Sequence, residues 1–468
     1  MSFIVLDLET SGLESQWHLP LQTALIHCDD NLKPLSELSL RCRLPAYIVP
    51  SPGALLTTGI GPVQLEQAPM SSTEMLSTIA KALVAWAPAT VIGYNSIRFD
   101  EEMLRHAFFT HLLPPYATQI GGHRRADLLT MVRAVAMLEP SAITVPIAAT
   151  GKPSFKLGDI CRSNGIKLGE DEAHNALADA RATLALFMHL RQVAPTTIAM
   201  MLNLADKANP NRMLAGGEVL LLGGASKLAP VVGVTANPTV ATSWATVDLT
   251  IDPEGYINGG PDEIARLLTG PGPRPIRLVR TNAQPILLTY EQGCHALPQD
   301  QRDQALYHER ADRVRAHTGF RANLAHAMAN RFADREASPY PEASLYSGGF
   351  LSNDDARTSA RWHASPWEDR PAIAAQFQDE RLKAFANRLM LLEAPEAMSP
   401  VAWQKGQAWL RDRLTSEAEV PWLTLQGALR QVGELRAGLA EDEVGRCALL
   451  DEIERWLRQR SQCFQLAA

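Results

Sequence analysis

Phe3 to Leu6 is a short run of large apolar side chains that ends at Asp7, and Glu9 follows one residue later. Such a run, bounded by polar residues, reads as a strand buried on both faces, and it calls for a layered fold in which helices cover a sheet. Two residues apart on a strand, Asp7 and Glu9 leave the same face. Thr90 to Tyr94 is a second strand candidate, and Asp100 then heads a helical pattern through Met103, Leu104, Ala107 and Phe108. His174 stands just before an alanine-rich amphipathic segment, Ala176 to Leu190, whose first turns hold Asp179. A spacing of five does not put both on one helix face, so His174 should enter from the preceding turn while Asp179 points inward. Taken singly, each has an ordinary explanation: the polar end of a strand, a carboxylate complementing a helix dipole, a capping or surface histidine.

Together they describe a metal-dependent nuclease, because four carboxylates converging on one point repel unless divalent cations lie between them. Such ions prefer hard oxygen ligands. Two Mg²⁺ ions about 3.5 to 4 Å apart, or Mn²⁺ in their place, can neutralise a phosphodiester, activate a water and stabilise the leaving oxygen. A histidine is suited to take the proton of that water, since its unperturbed pKa of about 6.5 lies near working pH.

The order D-x-E, N-x-x-x-F-D, H-x-x-x-x-D is similar to that of the DEDDh exonucleases; the histidine subtype is indicated by His174, and Asn175 stands where the tyrosine subtype has Tyr. GYNSIRFDEEMLR, RRADLLTMVRA, PSFKLGDICRSNGI and AHNALADARATLA resemble bacterial exonuclease I, as do LYSGGFLSNDDAR and QFQDERLKAFANR far downstream. The resemblance implies a single-strand-specific 3′–5′ exodeoxyribonuclease that releases 5′-mononucleotides and acts in DNA repair and recombination. Asp7, Glu9 and Asp179 would hold the nucleophile-side metal, with Asp7 bridging to the second ion, Asp100 acting through ordered water and His174 serving as base. Glu9, Thr10, Arg105, Lys156 and Lys207 would meet the substrate; Phe99 and Phe155 are stacking candidates for which core packing is the commoner role. The family is also recruited by the acidic C-terminal tail of single-stranded-DNA-binding protein. Arg321, on a helix where Leu324, Met328 and Phe332 share its face, is the candidate contact for that tail. The chain departs from the pattern at Ser11, where the family has a bulky aromatic, which bears on how a 3′ end would stack.

The chain of 468 residues is too long for one ordinary core and suggests three domains. Residues 1–194 alternate strand and helix patterns, with strands near 3–9, 22–28, 37–43 and 90–95 and helices near 73–86, 100–112, 124–138, 156–164 and 176–192. They read as an α/β domain with a mixed sheet, which the resemblance makes ribonuclease H-like. In 195–349, short β-rich runs at Glu218 to Leu222, Ser243 to Ile251 and Ile276 to Val279 fit the small SH3-like barrel of the family, followed by an arginine-rich helical part. Residues 350–468 carry helical spacing throughout and read as a C-terminal helical bundle.

A net charge of −7 argues at first against a nucleic-acid partner, yet a clustered acidic site supplies several of those charges and local patches matter more than the sum. One patch is Arg98, Arg105, Arg124, Arg125 and Lys156. Another runs from Arg274 to Arg335, with acids interleaved, so that DNA contact and a solvated helix face both remain open. The six cysteines show no C-x-x-C pair and read as reduced thiols of a cytoplasmic protein without structural zinc. No segment reads as membrane-spanning or as a leader, and a monomer is expected. Two other readings remain: a DEDDh enzyme that trims RNA or proofreads DNA, which has little need of two further domains, and a catalytically silent single-strand-binding repair factor, which would be expected to lack a ligand.

Overall fold

The computed structural model describes residues 2–167, 175–269, 274–332, 336, 338–440 and 442–466. Five strands form the first sheet: β1 (Ser2–Thr10), β2 (Pro20–Cys28), β3 (Pro34–Arg41), β4 (Ala89–Gly93) and β5 (Arg124–Asp127). Their order is β3-β2-β1-β4-β5. The β1–β2 and β2–β3 pairs are antiparallel and β1–β4 and β4–β5 parallel, so the sheet is mixed, as the strand and helix alternation predicts.

The central strand β1 divides its side chains between two cores. Phe3 and Val5 enter a core shared with the helix Ala176–Val193, where the Phe3 and Phe187 rings meet edge to face at 5.3 Å. Ile4, Leu6 and Leu8 enter a second core with Met103, Leu104 and Phe108 of the helix Asp100–Thr110. That second core continues into Leu410, Leu414, Leu425, Ile453 and Leu457, so helices of the C-terminal region pack directly on the first sheet. A third core, around Trp362, Phe377 and Phe385, closes the C-terminal helices on Phe109 and Leu112.

The second sheet is antiparallel throughout: β6 (Val219–Gly223), β7 (Leu228–Ala236), β8 (Ser243–Asp248), β9 (Ile276–Arg280) and β10 (Leu287–Thr289), in the order β10-β6-β7-β8-β9. The helices Gln304–Ala316 and Thr318–Asn330 follow, in the arginine-rich stretch. Gln284 bolts this region to the first: its side chain accepts from the Asp127 N–H at 2.7 Å and donates to the Met201 carbonyl at 2.8 Å.

The sequence reading needs correction at Arg124–Asp127, expected as the start of a helix and found as β5. Its backbone is claimed by β4 in parallel register, and Asp127 then caps the helix Leu128–Leu138 by accepting from the Thr130 N–H at 3.3 Å. Pairing with a distant strand overrides local helical spacing here. Strands β7 and β10 were likewise not foreseen. No described helix is long and apolar enough to cross a membrane.

Candidate active site

On β1 the odd-numbered side chains face the helix Ala176–Val193, and after Phe3 and Val5 the next two on that face are Asp7 and Glu9. The helix lays Thr183, Phe187 and Leu190 on the sheet, and Asp179, one turn before Thr183, extends the same line. The apolar parts of both elements thus bury one another and carry their acids together. Ligand oxygens of Asp7, Glu9 and Asp179 lie within 4.8 Å of one another.

Asp100 arrives from the neighbouring parallel strand. β4 pairs with β1 only as far as Val5, and beyond that point Asp100 Oδ1 accepts the Leu8 N–H at 3.1 Å. The carboxylate thereby takes the place of a sheet partner. Gly93 permits the approach, since a Cβ there would stand 2.6 Å from the Leu6 carbonyl oxygen. The chain between is held by Asp127, whose carboxylate accepts the Asn95 and Ile97 N–H groups, each at 3.2 Å. The acids therefore gather where the parallel strands end, the usual place for a site in such sheets.

The electrostatics express the crowding. Burial raises Asp7 well above the usual carboxylate range, and Asp100, Asp179 and Glu9 push it further. Glu9 is raised to about 8 by burial, then by Asp179 and Asp100. Burial lifts Asp100 to about 7 although the N–H groups of Asp100 and Leu8 oppose the shift. Among the described residues no lysine or arginine figures in these causes, and a bound cation would relieve the repulsion. Three close carboxylates with a fourth behind them form a hard-oxygen donor set suited to divalent cations.

His174 lies outside the described residues. Its neighbour Asn175 caps the helix, its side chain accepting from the Leu177 N–H at 3.0 Å and from Gln22 Nε2 at 3.2 Å. Gln22 stands opposite Glu9 in the β1–β2 register. The sequence reading weighs only the histidine as a cap, although an Asn just before a helical run is itself an N-cap signal, whereas Gln22 carries no local signal and is found only through strand register. Asp127 was missed for the same reason.

The remaining candidates are spread more widely. Thr10 is buried and donates to the Gly12 carbonyl at 2.8 Å. Arg105 is also buried, paired to Glu102 at 2.7 Å and to the Tyr346 hydroxyl at 2.5 Å. Lys156 and Lys207 are exposed, each preceding a helix, Leu157–Ser163 and Ala208–Gly216. Phe99 and Phe155 are half-buried against the cores. Arg321 is exposed, but Leu324 and Met328 turn into the core and only Phe332 of the expected apolar face is open, at 66 % exposure. The pocket expected beside Arg321 is thus not built from that helical face, because the helix needs those two residues to pack. Much of the basic stretch is spent within the fold: Arg277 pairs with Asp248, Arg310 donates to the Leu249 carbonyl at 2.7 Å, and Arg313 pairs with Glu309 at 2.8 Å.

Comparison with known proteins agrees with this layout. Residues 4–187 match the family described as Exonuclease, and residues 339–460 the family described as Exonuclease I C-terminal domain. Exodeoxyribonuclease I of Haemophilus influenzae is 27 % identical over 407 residues, covering 81 % of this chain and 84 % of the relative. Among solved structures, exonuclease I from Methylocaldum szegediense superposes with a TM-score of 0.88 at 24 % identity, over 98 % of this chain and 99 % of that one. The zinc-bound complex of Escherichia coli exonuclease I with single-stranded DNA gives 0.87 at 23 % identity, with the same coverage. The chain thus carries an exonuclease domain towards one end and an exonuclease I C-terminal domain towards the other, and it is similar to exodeoxyribonuclease I across most of the length between.

Proposed function

We propose that this protein is a single-strand-specific 3′–5′ exodeoxyribonuclease that releases 5′-mononucleotides and serves DNA repair and recombination. The observation that carries the reading is the meeting of Asp7, Glu9 and Asp179 within 4.8 Å, with Asp100 raised by its burial behind them. Support comes from relatives named exodeoxyribonuclease I and from the family member solved with single-stranded DNA and zinc.

Asp7, Glu9 and Asp179 would hold the cations, two Mg²⁺ ions for which Mn²⁺ could substitute, and Asp100 would act through water from its second oxygen, Oδ1 being engaged by Leu8. When bound, such ions neutralise the phosphodiester and lower the pKa of the attacking water. His174, beside the Asn175 cap, takes the proton of that water. Glu9 and Thr10 border the terminal nucleotide, and Lys156 and Lys207, both exposed, contact phosphates. Arg105 contributes by fixing Glu102 and Tyr346 as well as by its charge.

We read the chain as three domains, a ribonuclease H-like 1–194, an SH3-like 195–349 with its arginine-rich helices, and a helical 350–468. We take it to work as a cytoplasmic monomer. Its protein partner is the acidic C-terminal tail of single-stranded-DNA-binding protein, with Arg321 and the exposed Phe332 as contacts. One gel tests the enzyme reading: single-stranded DNA labelled at the 3′ or the 5′ end, duplex DNA and RNA, each with Mg²⁺ and with EDTA. Mononucleotide release from the 3′ end of single-stranded DNA in Mg²⁺ alone is expected; preferential loss of RNA, or degradation in EDTA, overturns it. Titrating labelled tail peptide into wild type and Arg321→Ala tests the partner: micromolar-order binding that the substitution weakens is expected, and equal affinity for both removes Arg321 from the interface.

A further inference from the structure

Where the C-terminal helices meet the loop leaving β1, a second group of charges is buried. Glu342 Oε1 receives Arg388 Nη2 at 3.0 Å and Arg413 Nη1 at 3.4 Å, and all three side chains are less than a tenth exposed. Two guanidinium groups thus share one carboxylate oxygen, and the trio carries one positive charge in excess. His18, beside it, contributes no further charge at neutral pH, since burial and Arg413 lower it to about 4. Aromatic faces supply part of the compensation: the Arg413 guanidinium lies 4.0 Å from the centre of the Trp422 ring, and that of Arg388 lies 4.5 Å from Trp409. A ring face is no hydrogen-bond acceptor for an in-plane N–H, however, and Arg388 Nε and Nη1 are buried without an acceptor among the described residues. Beside them a cavity of about 10 Å³ is lined by His18, Tyr47, Thr110, Glu342, Arg388 and Arg413. That is room for one monatomic or water-sized guest.

We propose that this cavity is a halide site, in which one chloride accepts the free N–H groups of Arg388 and neutralises the excess charge of the Arg388–Glu342–Arg413 trio. Water fits the volume and would satisfy the donors, but it leaves a net charge buried without a counter-ion, which is unfavourable. An anion removes both defects at once. Sulfate and phosphate are excluded by size.

The site also has a consequence for the strand that carries the acids. His18 Nδ1 contacts Ser11 Oγ at 3.2 Å, and Ser11 Oγ accepts the Leu19 N–H at 3.0 Å. Gly12 fits beneath the His18 ring only because it has no side chain, a Cβ there falling 2.4 Å from ring atoms. Occupancy of the cavity therefore stiffens the joint between the C-terminal helices and the loop that follows Glu9 and Thr10.

Crystals of the full chain soaked in sodium bromide and measured at the bromine absorption edge provide the direct test. An anomalous peak beside Arg388 Nε and Nη1 is expected; ordered density there with no anomalous signal means water and overturns the proposal. In solution at fixed ionic strength, the wild type should melt a few degrees higher in chloride than in gluconate. Arg388→Met should lose that difference, and Glu342→Gln, which adds to the excess charge, should widen it. Equal melting of the wild type in the two salts overturns the proposal independently of how the variants fold.

Discussion

Two clusters of buried charge lie at opposite ends of one loop, and the fold treats them differently. At the end of β1 four carboxylates gather, those of Asp7, Glu9 and Asp100 with their pKa values raised by burial and by neighbouring acids, and no lysine or arginine of the described residues figures among the causes of those shifts. Past residue 15, Glu342 has two arginines and each arginine has an aromatic face. The contrast is sharper between sequence neighbours. Asp100 is left to its fellow acids, whereas Glu101 meets Arg125 at 3.2 Å and the Thr118 hydroxyl at 2.9 Å. Among the described residues an arginine meets Glu101 and none meets Asp100, which is the arrangement a cluster completed by a cation requires, whereas the second cluster joins the C-terminal helices to the loop after β1.

The largest expected effect breaks the first cluster. Asp7→Ala or Asp179→Ala should abolish degradation of single-stranded DNA while leaving its binding largely intact, because the proposed metal ligands are carboxylates and the proposed phosphate contacts, Lys156 and Lys207, are other residues. Turnover in Mg²⁺ and DNA affinity in EDTA, measured on each variant, check this; near-normal turnover would remove the residue from the site. Without metal the same variants should be more stable than the wild type, since each removes one member of a repelling set. His174→Ala should cost roughly 10²- to 10⁴-fold in rate and change the acid limb of the pH profile, with cation-induced thermal protection retained. A variant with wild-type rate and acid limb would make His174 a helix-entry residue only.

The second cluster should respond in stability. Glu342→Gln leaves two buried arginines without their carboxylate, and breaking such a group costs about 3 to 5 kcal/mol in general. Chemical denaturation of the variant should show that loss, while its Mg²⁺ affinity should stay within a few-fold of wild type. A large drop in Mg²⁺ affinity would mean that the joint positions the acids as well as the domains.

What the sequence disclosed follows the range of the interactions involved. Asp7, Glu9 and Asp179 are legible because each rides on an element whose own periodicity gives its direction: period two for β1, the helical repeat for Ala176–Val193. The mixed sheet was legible from alternating strands and helices. Arg124–Asp127 was misread because its strand character exists only beside β4, and β7 was passed over in a glycine- and proline-rich neighbourhood. Gln22, Asp127 and the Glu342 cluster were invisible because their partners stand 153, 32 or 30, and some 46 to 71 residues away, distances at which no local pattern operates. Arg321 is exposed, but the apolar face ascribed to it is mostly core.

The smallest effect is a pH dependence that the acids impose on the metal-free protein. Glu9 has its folded pKa raised from 4.5 to about 8, and Asp100 from 3.8 to about 7. A carboxyl raised on folding binds its proton more tightly in the native state, so its contribution to stability is fully present below the unfolded pKa and is lost as pH rises through the folded one. In EDTA the melting temperature should therefore decline between about pH 4.5 and 8, over and above any change in a variant with Glu9 and Asp100 replaced by Gln and Asn. Added Mg²⁺ or Mn²⁺ must displace those protons to bind, so its stabilising effect should grow over the same interval and flatten the decline. A metal-free melting curve that is flat from pH 5 to 8, or one that rises, would show that the four acids are solvated and apart in solution rather than gathered as they are here.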